Sequence, residues 1–129
     1  MPDEPRSPSQ YAIIRVVPRV DRGECLNAGV VLLCRSMAFI GARTELDEGR
    51  LAALAPGTDP GTVRPHLDAI ERIARGEPAG GPMAALSIAE RFHWLVSPSS
   101  TIIQASEVHT GLSDDPAREL EDLVEKLVR

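Results

Sequence analysis

Residues 11–44, YAIIRVVPRVDRGECLNAGVVLLCRSMAFIGART, decide the architecture. Tyr11–Val17 is rich in β-branched residues and closes at Pro18, which is the composition of a strand. Alternation places Ala12, Ile14 and Val16 on one face and Tyr11, Ile13, Arg15 and Val17 on the other. Arg15 is therefore a charge in the middle of an apolar strand, and it needs either a wet face or a partner. Gly29–Arg35 is a near-continuous apolar run of strand length, as expected of a central strand covered on both sides. Met37–Thr44 makes a third strand, with Gly41 as a bulge or a point of close approach. The short connection between the second and third runs favours an antiparallel hairpin. Asn27 is expected to fix the turn into the second strand.

Working outward, residues 1–10 carry three prolines, two acids and no apolar period, and read as a disordered leader. Residues 11–129 then form a single domain. Leu46–Ala55 reads as a short helix stopped by Pro56-Gly57. Thr58-Asp59-Pro60 starts a second helix, marked by Val63, Leu67, Ile70 and Ala74 and ended by Gly76; Pro65 suggests that its regular part begins near that residue. Met83–Ala89 has room for one or two helical turns. Arg91–Val96 and Thr101–Ser106 flank Ser97-Pro98-Ser99-Ser100 and read as a β-hairpin. Asp114-Asp115-Pro116 opens a final helix with an apolar stripe at Leu120, Leu123, Val124, Leu127 and Val128. On that helix Asp122 with Lys126 and Glu125 with Arg129 are acid–base pairs four residues apart. The expected fold class is α+β: an antiparallel sheet of about five strands and about three helices, with the C-terminal helix packed on the sheet.

A net charge of −5 does not suggest a nucleic-acid or anionic-membrane surface. The distribution is uneven. Residues 11–44 hold five arginines against two acids, while residues 107–129 hold seven acids against three bases. No stretch has the length and apolarity of a membrane span and no secretory signal opens the chain, so a cytoplasmic protein is expected. Cys25 and Cys34 form neither a disulfide framework nor a Cys-x-x-Cys motif, and Cys34 reads as a buried small hydrophobe. Aromatics are only 3% of the chain, so Tyr11, Phe39, Phe92 and Trp94 are each conspicuous as packing or binding positions.

Three separated blocks carry a resemblance: YAIIRVVPRVDRGECLNAGVVLLCR, LDEGRLAAL, and SIAERFHWLVSPSSTIIQASEVHTGLSDDP. In this order they resemble the bacterial family known as domain of unknown function 3037, over about residues 11–129. The resemblance brings no catalytic residues. It implies a partnership with HipA-like serine/threonine kinases, as regulator or substrate, through shared gene neighbourhood.

The residues themselves allow several chemistries. Cys25, Cys34, His66, His93 and His109 include metal-ligand types, but none has zinc-site spacing, and no metal site is expected. There is no nucleophile elbow, Walker A loop or dinucleotide glycine fingerprint, and no cofactor is called for. The leading candidate is a non-enzymatic recognition face. Strand alternation through the second hairpin sets Arg91, His93 and Leu95 opposite Phe92, Trp94 and Val96, and His93, Gln104 and Arg15 would form a polar cluster if they converge. Arg15, Arg43, Arg91, His93, Trp94, Gln104, His109 and Thr110 are the candidate binding residues. The structural alternative pairs Arg15 with Glu90 or Glu24. A small nucleotide- or phosphate-binding enzyme using His93 and His109 as acid–base groups is the second reading, and a homodimer formed through an edge strand is the third.

Overall fold

The computed structural model describes residues 6–99 and 101–129. Among them are strands β1 (Ser7–Val16), β2 (Leu26–Cys34) and β3 (Phe39–Thr44) and helices α1 (Glu48–Leu54), α2 (Pro60–Arg75) and α3 (Ile88–Val96). Strands β4 (Ile103–Ala105) and β5 (His109–Ser113) and helix α4 (Pro116–Leu127) follow. The fold is α+β, with an antiparallel sheet of five strands and the C-terminal helix packed on it.

The sheet is organised around β1. One edge of β1 pairs with β2, which pairs in turn with β3 as the expected hairpin. The other edge is shared: Ile14–Val16 pair with β4, and Ser7–Tyr11 pair with β5. Between these segments the Ser106 amide donates to the Ile13 carbonyl (2.9 Å), and the Ile13 amide donates to Ser106 Oγ (2.8 Å). From there to the Tyr11–His109 pair, β1 advances two residues and its partner three. The extra residue is a bulge at Glu107–Val108, and it divides one long partner segment into β4 and β5.

Side chains leave the two faces of the sheet into separate cores. Ala12, Ile14, Val16, Val31 and Leu33 meet Leu51 of α1, Val63 and Leu67 of α2 and Phe92 of α3. Val30, Leu32 and Cys34 meet Leu120, Val124 and Val128 at α4, with Tyr11 and Phe39 packed alongside. Burial of each large side chain contributes about 1.5–3 kcal/mol. The β1–β2 register shifts between Ile14 and Arg15, which changes the face assigned to β2 after Ala28 and keeps apolar groups on both sides. Gly41 is a point of close approach: a Cβ there would stand 2.9 Å from Leu120 Cδ2, so its absence lets α4 settle on the hairpin. The Thr44 amide at the end of β3 donates to Glu71 of α2 at 2.9 Å.

The helix starts follow the expected chemistry. Asp47, Asp59 and Asp115 each accept a backbone amide at the N-terminus of α1, α2 and α4. At the other end of α4, Asn27 Nδ2 donates to the Leu127 carbonyl and Arg50 Nη1 to the Val128 carbonyl. Asn27 is thus structural, but it ties down a helix terminus and not its own turn.

Four further expectations need correction. Residues 7–10 are not leader but the first four residues of β1: Ser9 is buried and its hydroxyl donates to Glu119, while residues 1–5 lie outside the described residues. Helix α2 begins at Pro60 and runs through Pro65. Arg129 makes its ion pair with Glu45 and not with Glu125, whose charge still acts on it. Most consequentially, Arg91–Val96 is not a strand. It lies in α3, which opens with a capping box in which the Ser87 hydroxyl accepts from the Glu90 amide and Glu90 reaches back to Ser87. Ile88, Phe92, Leu95 and Val96 then form the inward helical stripe and leave Trp94 outside. The fifth strand of the sheet is β5, a segment without the β-propensity that would mark it.

Candidate functional site

Arg15 lies on the α4-side face of β1, directly across from Gln104 of β4 and Asn27 of β2. Helix α4 covers the β2–β3 half of this face, and the loop after β1 covers part of the rest. What remains is a cleft of about 320 Å³ walled by Arg15, Val17, Val20, Cys25, Ser99 and Gln104. The Gln104 amide nitrogen donates to the Thr101 carbonyl at 3.0 Å, which leaves its side-chain oxygen free to accept.

Arg15 itself has no acceptor among the described residues. Its Nε is buried and meets no hydrogen-bond partner. Both of its candidate carboxylate partners are engaged elsewhere: Glu90 closes the α3 capping box and Glu24 bonds Arg22. Other arginines are spent. Arg43 pairs with Glu121, Arg64 with Glu48, Arg75 with Glu71 and Glu77, and Arg129 with Glu45. Among the described residues, the remaining arginines without a bonded partner, at 6, 35, 72 and 118, are exposed, where water serves them; Arg15 is half-buried. A partly desolvated guanidinium without an acceptor is costly, and a bound anion removes that cost.

The other candidates separate. Arg91 is structural: Nε donates to the Leu86 carbonyl, and Nη1 donates to the carbonyls of Ile73 (3.2 Å) and Ala74 (2.9 Å) at the end of α2. Gly76 makes this possible, because it takes φ 72° as the helix cap and a Cβ there would stand 2.9 Å from Arg91 Nη1. His93 is exposed on α3. His109 is on the opposite side of the sheet, stacked on Tyr11 with ring centroids 5.2 Å apart, and its Nε2 is 3.8 Å from Glu107. Thr110 is exposed on β5 across from Gln10. Arg15 and Gln104 therefore converge, whereas His93 and His109 do not join them or each other.

Trp94, 53% exposed, stands at a second groove of about 470 Å³ on the α2–α3 side of the sheet, with Ile70, Ile73, Leu95 and Ile103. Ser99, Gln104 and Ala105 line both hollows, so the two meet across β4. A larger cavity, about 610 Å³, lies among β3, α1, α2 and the end of α4, and each of its arginines is already paired with a carboxylate. There Arg129 bonds both oxygens of Glu45 and holds that carboxyl below its ordinary range. Glu119 also has a buried oxygen without a partner, near Ser9, about 20 Å back along β1 from Arg15 at the strand repeat. Among the described residues no three His, Cys, Asp or Glu side chains are placed to hold a metal; Cys25 is exposed and Cys34 buried. Among them, too, no helix is long and apolar enough to cross a membrane.

Sequence reasoning missed the wall formed by Val20, Cys25 and Ser99. Loop residues carry no period that would place them over a strand, so no signal pointed there. It also missed that Trp94 faces the groove, which follows only once α3 is read as helical.

Fold and cleft together define a small α+β domain with an unpaired arginine set in an antiparallel sheet. The chain belongs to the family described as protein of unknown function (DUF3037), whose model matches residues 11–128. No curated protein and no solved structure matches it.

Proposed function

We propose that this domain is a recognition module that accepts an acidic group of a partner in the Arg15–Gln104 cleft. The single observation behind this reading is that Arg15 is half-buried without an acceptor while its candidate carboxylates are committed elsewhere. A guanidinium presents a fork of donors matched to a carboxylate, and a charge-assisted pair of bonds is stronger than neutral ones. Gln104 adds an acceptor beside that fork for a partner's N–H.

A protein is the proposed partner. A HipA-like kinase is the first to test, on the strength of the family resemblance alone; no feature of the cleft is particular to it. The enzymatic reading with His93 and His109 has no supporting geometry, because α3 and the His109 side chain lie on opposite sides of the sheet. The test is the Arg15 Nε–H resonance, followed by NMR during titration with N-acetylglutamate and with N-acetylglutamine. The resonance should move with the acid and not with the amide, at millimolar concentrations. A resonance indifferent to the acid refutes the reading. In capture experiments with a HipA-like kinase as bait, folded Arg15→Glu protein should be lost; retention equal to wild type would show that the surface assignment is wrong.

A further inference from the structure

We propose that the acidic group arrives on an extended peptide that adds as a strand to the free edge of β4. The proposal rests on the reading of Arg15 as an anion acceptor and names what delivers the anion. The first support is the direction of the backbone groups. The Val17 amide donates to the Ile102 carbonyl and the Ser106 amide to the Ile13 carbonyl, on either side of the Arg15–Gln104 pair. Antiparallel ladders alternate, so Arg15 and Gln104 exchange bonds with each other, and Ile103 and Ala105 turn their N–H and C=O groups away from β1. No described strand of this chain pairs on that side. The Ile103 carbonyl accepts from Thr101 Oγ1, a replaceable surface bond, and among the described residues the others have no hydrogen-bond partner. Open edges of this kind are templates for another strand.

The second support is what flanks the edge. The Arg15 cleft lies on one face of β4, and the apolar groove with Trp94, Leu95 and Ile70 lies on the other. Successive side chains of an added strand point to opposite faces. One peptide thereby sends an acid over Gln104 to Arg15 and its two neighbours into the Trp94 groove. The residue opposite Gln104 is two strand spacings from Arg15, about 9–10 Å, a gap that an arginine and a glutamate reaching towards each other can span. In such modes the main chain supplies affinity and the alternating pockets supply specificity. The occupant is a peptide and not the edge of a second copy, because β4 offers only three residues before the Glu107–Val108 bulge breaks the edge. The charge to be met is positive and unpaired.

The probe is a capped octapeptide with a valine–glutamate–valine core between threonines, followed by fluorescence anisotropy and by amide NMR of the protein. In the antiparallel register that sets glutamate opposite Gln104, the two valines exchange bonds with Ile103 and Ala105. Three losses are expected: glutamine for glutamate weakens binding roughly tenfold or more, N-methylation of both valines removes it, and Trp94→Ala weakens it several-fold with an unchanged melting midpoint. On binding, the Ile103 and Ala105 amides shift and exchange more slowly. If the N-methylated peptide binds as well as its parent, or the edge amides do not respond, strand addition is wrong. The anion reading then still stands, provided that Arg15 Nε responds to N-acetylglutamate. If Nε responds to neither acid nor peptide, both fall together.

Discussion

Replacing Arg15 with methionine should make the isolated domain more stable. Methionine keeps an apolar stem on β1 across from Gln104 and discards the guanidinium, whose Nε is buried without an acceptor among the described residues. An unsatisfied buried donor costs about 1–3 kcal/mol. Because the side chain is only half-buried, the lower part of that range applies, about 1–2 kcal/mol. Unfolding entropy near 2.1 cal/mol/K per residue, over 129 residues, gives about 0.27 kcal/mol/K. The expected rise in melting midpoint is then about 4–7 °C, measured by calorimetry at neutral pH without added ligand. Arg91→Met is the matched control, since the same chemical change there removes bonds to three carbonyls, those of Leu86, Ile73 and Ala74. That variant should lose about 1.5–3 kcal/mol. A fall of about 1 kcal/mol or more in Arg15→Met would show that Arg15 has a structural partner, and the argument for a vacant anion site would collapse.

Phe92→Ala should destabilise by about 3–5 kcal/mol in denaturant titrations, because its ring fills the core between α3 and the sheet. Gly41→Ala should cost about 1–3 kcal/mol, since its Cβ drives Leu120 and Phe39 aside; a repacking mutation, Leu120→Val, should recover part of that loss in a double-mutant cycle. Ser87→Ala removes the α3 cap at a cost of about 1 kcal/mol, visible as faster amide exchange in the first turn of α3. Acid should weaken the fold in a defined direction. Arg129 lowers the Glu45 carboxyl and the Ser87 hydroxyl and amide lower Glu90, so both contribute stability above the ordinary carboxylate value of about 4.3 and lose it as pH falls through their depressed values. Glu45→Gln should flatten the acid limb of a stability–pH profile, and an unchanged limb would remove Glu45 from that account.

The β1–β2–β3 half of the fold was legible because each strand announced itself: β-branched alternation in Tyr11–Val17, an apolar run in Gly29–Arg35, and a connection too short for a crossover. Arg15 was equally visible as an anomaly. Its lack of a partner was not, because that depends on where Glu24 and Glu90 are spent. The same reason made Arg43 and Arg91 look like binding residues: in sequence a guanidinium paired with a distant carboxylate, or bonded to helix carbonyls, is indistinguishable from a free one. Arg91–Val96 fits both a period of two and a helical stripe over so short a window. Ser87 with Glu90 three residues later was the signal that separates the two readings. β5 had no comparable signal. His109–Ser113 contains glycine and serine and is a strand because β1 offers it an open edge.

The shared edge of β1 also bears on how the chain is made. β1 leaves the ribosome before its partners, and β2 and β3 follow within a few dozen residues. Its other edge waits for residues 103–113; the Ile13 amide meets Ser106 across 93 positions. At about 5–20 residues per second, the nascent chain carries that half-paired strand for roughly 5–20 s. The two inner strands can zip early, but the sheet is sealed only after residues 103–113 have emerged. Chaperone dependence during synthesis is therefore expected to concentrate on the outer edge of β1, and a chain stopped before Ile103 should stay a client of chaperones even though most of its core residues are already present.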